Sequence, residues 1–177
     1  SDRGKWIADV LTAMGFPATP SNFGSVARSF ADSRRDALGA DWGFTIFVVD
    51  SANDLDGKFS DNIFAFSILS GPYTVLTYDN DGWGISNMNL VAAHETGHIF
   101  GALDEYYSRC STSDTGGYLN VPNTSCNRSG ITSDVSIMGE AAEQLNPNVD
   151  VSSSARGAIG WRNPAVGDGG KIIVDVV

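Results

Sequence analysis

Histidine is nearly missing from this chain, with two in 177 residues, and cysteine is as scarce. Methionine occurs three times and glutamate four times, so aspartate supplies most of the 21 acidic residues. Each shortage excludes something. With only two cysteines, the fold must rest on a core, and 177 residues suffice to bury one as a single domain. No apolar run approaches the roughly 20 residues that a membrane span needs. Basic residues number only 11, leaving a formal charge of −10. Such a surface repels phosphate backbones and anionic lipid, which argues against nucleic-acid and membrane partners. The opening SDRGKWIADV has no basic region followed by an apolar core, so no signal peptide is visible there. Internal repeats and low-complexity linkers are absent as well.

What is there reads as an α+β chain. Trp6, Ile7, Val10, Leu11 and Met14 follow helical spacing, ended by Gly15 and Pro17. Ser21 or Asn22 can cap a second helix carrying Phe23, Val26, Ala27, Phe30 and Leu38, closed by Gly39. The unbroken apolar run FTIFVVD (Phe44 to Asp50) predicts a central strand covered on both faces. IFAFSIL (Ile63 to Leu69) and YTVLTY (Tyr73 to Tyr78) predict two more strands, separated by Gly71-Pro72. A helix begins at Asn87 or Asn89 and runs to about Phe100. Beyond Gly101 the chain is mostly loop, with a short helix over Ser152 to Gly160 and a last strand at KIIVDVV. The expected plan is one domain over 1–177, with an N-terminal lobe (1–101) of helices and sheet, an irregular C-terminal lobe (102–177), and a cleft between them.

Cys110 and Cys126 flank STSDTGGYLNVPNTS, a polar stretch with little core of its own. A disulfide closing it restricts the unfolded chain by about 3 kcal/mol. An even cysteine count in a polar loop points to an oxidising compartment. With no leader in view, the expected localisation is secreted, the leader having been removed.

Both histidines fall inside HETGHIFGALDE, His94 to Glu105. Residues four apart on a helix point the same way, so His94 and His98 can give two imidazoles to one metal ion. Glu95, rotated by about 100°, borders that ion without binding it, and a water on the metal falls within its reach. This is the division of labour of the HExxH pattern: two ligands and a general base. A straight helix offers no nearby third ligand. Gly101 solves this, because a glycine can turn left-handed and end the helix, letting the chain bring back the carboxylate of Asp104.

HETGHIFGALD resembles the HExxHxxGxxH/D signature of the metzincin metallopeptidases, and the aspartate in the last ligand position resembles the snapalysin-like branch. The Asp104-Glu105-Tyr106 run is similar to one in some bacterial immunoglobulin-cleaving metallopeptidases. The resemblance implies a two-lobed metzincin-like domain with a twisted mixed sheet. It also implies a methionine in a tight turn beneath the metal, for which Met138 in SIMGE is the candidate. Such domains usually begin with a strand before the first long helix, and none is visible here.

The implied activity is that of a zinc endopeptidase acting on extended protein substrates. Two imidazoles and a carboxylate favour one catalytic Zn2+ with an open position, which polarises the scissile carbonyl and activates a water. Glu95 takes the proton and passes it to the leaving amine. The resemblance makes IFAFSIL the edge strand on which a peptide pairs, and residues Gly139 to Asn148 the wall of the pocket beyond the scissile bond. Tyr106 and Tyr107 have two readings, oxyanion stabilisation or aromatic packing beside the helix end. No His-Tyr follows Met138, so no tyrosine is assigned to the metal. DLDG (Asp54, Asp56) and DNDG (Asp79, Asp81) resemble fragments of calcium loops, but neither has the full spacing. Turn-forming Asp and Asn explain both, and Ca2+ stays open as a second cofactor. The expected form is a monomer.

Three alternatives stand beside this. A gluzincin would draw its third ligand from Glu140 or Glu143. A non-catalytic secreted module would keep the metal for structure only, although structural zinc sites usually fill four protein positions and prefer cysteine. A zinc hydrolase acting on a non-peptide amide or ester would use the same ligands.

Overall fold

The structure, a computed structural model, describes residues 2–81, 83–106, 109–126, 136–139 and 149–161. The strand expected at KIIVDVV, Tyr107, Glu140 and Glu143 lie outside the described residues, as does the Gly139 to Asn148 segment apart from Gly139. The described residues form an α+β chain in two compact units, Ser1–Met88 and Asn89–Val177. No helix among them is long and apolar enough to cross a membrane.

In the first unit, α1 (Asp2–Ala13) buries Gly4, Ile7, Ala8 and Leu11, which share one face of the helix. Its Asp2 lies at the positive end of the helix dipole. The second helix, α2 (Phe23–Leu38), starts at Asn22 and closes at a left-handed Gly39, as the sequence predicts. The Asn22 side chain makes no cap, however; its Oδ1 accepts from the Thr19 N–H instead (2.6 Å).

Three strands follow: β1 (Thr45–Val49), β2 (Ala65–Ser67) and β3 (Tyr73–Thr77), in the order β1-β3-β2. β1 and β3 run parallel, Phe47 opposite Val75; β2 and β3 run antiparallel, Phe66 opposite Val75. The central strand is therefore β3 and not β1. All five β3 residues are buried, whereas β1 lies at an edge with Ile46 and Val48 more than 40 % exposed. An unbroken apolar run hides this alternation. The two threonines of β3 are tolerated inside because each hydroxyl finds a carbonyl: Thr74 donates to Phe66 (3.0 Å) and Thr77 to Gly57 (2.6 Å). β2 is the opposite edge, but is only three residues long. The IFAFSIL run leaves the ladder before Ser70 and Gly71, both at positive φ (66° and 80°).

The core of this unit joins Ile7 and Leu11 of α1 and Ala27 of α2 to Phe47, Phe59, Tyr73 and Val75. Tyr73 is its hub. Phe23, Phe47 and Phe66 all meet its ring edge to face, with centroids 6.0–6.2 Å apart. The aspartates of DLDG and DNDG serve turns and ion pairing here. Asp56 accepts from the Lys58 N–H (3.1 Å), and Asp81 pairs with the Lys58 ammonium (2.9 Å).

The second unit carries all but the first residue of α3 (Met88–Ile99), a helix within a residue or two of the expected bounds. A small antiparallel hairpin, β4 (Thr115–Gly116) and β5 (Val121–Pro122), lies inside the loop closed by the Cys110–Cys126 disulfide, whose Cα atoms are 5.6 Å apart. The sequence predicts the disulfide but not the hairpin. The short helix α4 (Ser153–Ala158) starts at Ser152, whose hydroxyl accepts from the Ala155 N–H (3.0 Å). The core gathers Ala102, Ile137, Met138, Ala155 and Ala158.

Candidate metal centre

α3 places His94 and His98 on one face, one turn apart. Their rings meet edge to face, with centroids 4.8 Å apart, and their Nε2 atoms are 3.1 Å apart. The helix ends one turn later. Gly101 adopts φ +89°, its N–H donates to His98 O (2.9 Å), and the Ala102 N–H donates to Gly97 O (3.0 Å). This paired closure needs a left-handed residue, which glycine supplies without strain. The chain then returns to set Asp104 Oδ1 3.3 Å from both Nε2 atoms.

Backbone carbonyls orient both rings. His94 Nδ1 lies 2.9 Å from Ile137 O, and His98 Nδ1 lies 2.8 Å from Ala102 O. A carbonyl only accepts, so each Nδ1 carries the proton and each Nε2 presents its lone pair to the centre. The turn that ends the helix thus also supplies the acceptor that aims His98. Ile137 belongs to a tight turn in which the Gly139 N–H donates to Ser136 O (3.1 Å) and the Met138 N–H to Ser136 Oγ (3.0 Å). Met138, 1 % exposed, packs in that turn against the helix; a Cβ at Gly97 would stand 2.5 Å from its Sδ.

Three atoms, each rich in electrons, converge with separations of 3.1, 3.3 and 3.3 Å. Asp104 Oδ1 is buried and has no hydrogen-bond partner of good geometry. Tetrahedral ligands about 2.0–2.1 Å from one ion stand about 3.3 Å apart, so the triangle already has the span that a divalent cation requires. Among the described residues these three are the one group of histidine, cysteine or acidic side chains so arranged. Without a cation the site attracts protons. Burial opposes ionisation of Asp104, but the ring nitrogens of His94 and His98 outweigh it and hold the carboxyl well below the usual range. Burial likewise opposes charging His98, but the Asp104 carboxylate, the Ala102 carbonyl and the charge of Glu95 together raise its pKa above the usual 6.5.

Glu95 is buried beside His94 on α3, 7 % exposed. Tyr106 stacks on the His94 ring, with centroids 5.4 Å apart and planes at 26°, and its hydroxyl lies 3.3 Å from both nitrogens of that ring. It meets the packing expectation and also brings a hydroxyl to the edge of the centre.

The site has supporting residues that the sequence reading did not single out. Gly97 had a signal: a glycine inside a helix costs about 1 kcal/mol against alanine, so its presence marks a close approach. Asn123, whose Nδ2 donates to Asp104 O (2.8 Å), and Ser152, whose hydroxyl donates to the Glu105 carboxylate, had none. Against protein-family models, curated proteins and solved structures, the chain matches nothing.

Proposed function

We propose that this chain is a zinc-dependent endopeptidase of metzincin type, with a metzincin-like two-lobed fold, His94, His98 and Asp104 as ligands, and Glu95 as general base and acid. The observation that carries this reading is the triangle of two Nε2 atoms and one carboxylate oxygen at 3.1–3.3 Å, with both rings fixed by carbonyls behind them. Two neutral imidazoles and a carboxylate suit zinc among the common biological metals and leave a position open for chemistry. Zinc held by His94, His98 and Asp104 would supply Lewis acidity for the scissile carbonyl and for the attacking water.

The remaining work falls to the chain. Glu95 accepts a proton from the attacking water and returns it to the leaving amide nitrogen, so that one water is consumed and one acid and one amine are released. Asp104 contributes a negative charge to the ligand set. The closed Cys110–Cys126 pair fits an oxidising, extracellular setting. A protein substrate binds in extended form, adding main chain to main chain at a sheet edge, and β2 is such an edge.

Casein or gelatin digestion with and without a chelator, together with the metal content of the purified protein, tests this. Chelator-sensitive cleavage with one zinc per chain is expected. A protein that binds zinc but cleaves neither substrate points to the non-catalytic alternative. The 3.3 Å separations of Asp104 Oδ1 from both Nε2 atoms support Asp104 as the third ligand, and zinc retention in Asp104→Ala against Glu143→Ala decides between it and the glutamate of a gluzincin.

A further inference from the structure

The third ligand sits on a loop, and a loop carboxylate holds a metal only if the backbone beneath it is fixed. We propose that Asn123 is the positioning residue for Asp104, and that the Cys110–Cys126 disulfide holds Asn123 in place for that task. The inference rests on the metallopeptidase reading above.

Asn123 is polar yet only 3 % exposed. Its Nδ2 donates to the Asp104 carbonyl at 2.8 Å, across 19 residues of sequence. A hydrogen bond on that carbonyl fixes the peptide plane that follows Asp104, and with it the direction in which the carboxylate leaves the backbone. The backbone of Asn123 is itself held on both sides: its N–H donates to Asp114 O (2.8 Å), and its carbonyl accepts from the Cys126 N–H (3.1 Å). Across the disulfide, the Cys110 N–H donates to Tyr106 O (3.0 Å), two residues after the ligand. One covalent bridge therefore joins the segment that carries Asp104 to the segment that carries its support. Asn123 also opens an Asn-Thr-Ser triplet, the pattern of an N-glycosylation acceptor. Its burial and its bond to Asp104 withdraw it from that use in the folded protein.

The test is zinc affinity, measured by competition with a chromogenic chelator on the folded full chain, with circular dichroism as the check on folding. Removing an outer partner of a metal site costs about 10–100-fold in affinity. Asn123→Ala and the isosteric Asn123→Asp, which keeps the shape but loses the donor, are each expected to fall in that range. The Cys110→Ser/Cys126→Ser variant is expected to lose affinity similarly, and adding Asn123→Ala to it to cost little more, because the two act through one path. Val121→Ala, a core truncation in the same loop, is expected to lower the melting temperature while keeping zinc. Wild-type affinity in folded Asn123→Ala and Asn123→Asp overturns the inference, as does a loss in Val121→Ala equal to theirs. Asp104→Ala separates the two levels. If it binds zinc normally, the metallopeptidase reading fails; if it loses zinc while both Asn123 variants keep it, only this inference fails.

Discussion

Met138 occupies the space that a side chain on Gly97 would need: a Cβ there would lie 2.5 Å from Met138 Sδ and 3.2 Å from its Cε. Gly97 stands between His94 and His98, the two histidines proposed as ligands, so the helix carries the proposed metal face and its contact with the methionine turn on adjacent residues. Met138 is 1 % exposed and packed among Ala102, Ile137, Ala155 and Ala158, which leaves its sulfur little room to retreat. Alanine normally favours a helix over glycine by about 1 kcal/mol, but overpacking a core costs about 1–3 kcal/mol. Gly97→Ala should therefore lower stability in urea denaturation, and Met138→Ala in the same chain should remove most of that added cost. Unchanged or raised stability in Gly97→Ala would refute the close approach.

The two histidines and Asp104 should separate cleanly from Glu95 by what each loses. His94→Ala, His98→Ala and Asp104→Ala each remove a proposed ligand and should release metal on dialysis. Glu95→Gln keeps the shape and removes the base, so it should retain zinc while kcat falls by about 10²–10⁴, the usual range for general acid–base catalysis. Metal analysis beside a peptide-cleavage assay reads both. A fully active Glu95→Gln would reject the assigned base.

Proton binding predicts opposite pH slopes with and without metal. In the metal-free chain the pKa of His98 is raised above its unfolded value of 6.5. The folded state then holds a proton that the unfolded state has released, so this contribution is full below pH 6.5 and is lost as pH rises through the raised pKa. The lowered pKa of Asp104 acts in the other window: its contribution is present above the unfolded value of 3.8 and is lost as pH falls below it. Zinc bound as proposed would compete with the proton on His98, so the stabilisation from zinc should grow over the same neutral range. Thermal melts from pH 6 to pH 9 (roughly the span in which histidine titrates), with chelator and with zinc, should diverge as pH rises. Parallel curves would show that metal and proton do not share the site.

Much of the site was legible in the sequence because it is built on a helix. The i, i+4 spacing of His94 and His98 fixes their relative direction before any tertiary contact, and Gly101 marks the change of course that brings Asp104 back. The supporting contacts were not legible. The acceptors on Ile137 and Ala102 are backbone atoms, which every residue offers, and Asn123 reaches Asp104 across a disulfide loop whose path no periodicity records. In the sheet, the most apolar run predicts a central strand, yet β3 holds that place with two threonines. Pattern reading scores a hydroxyl as polar and cannot foresee that a neighbouring carbonyl will satisfy it.

Ser152 joins two tasks that one substitution can separate. Its hydroxyl accepts from the Ala155 N–H at the start of α4 and donates to the carboxylate of Glu105, which is 1 % exposed. Losing an N-cap costs about 1 kcal/mol, and taking a hydrogen bond from a buried carboxyl about 1–3 kcal/mol. Ser152→Ala should therefore cost about 2–4 kcal/mol in equilibrium unfolding. Aspartate caps helices as well as serine does, so if the cap were the whole effect, Ser152→Asp would be nearly neutral. It instead sets a second carboxylate against Glu105 and removes its donor, so Ser152→Asp should be less stable than Ser152→Ala. The reverse order would show that the contact with Glu105 contributes little and that Ser152 acts only as a cap.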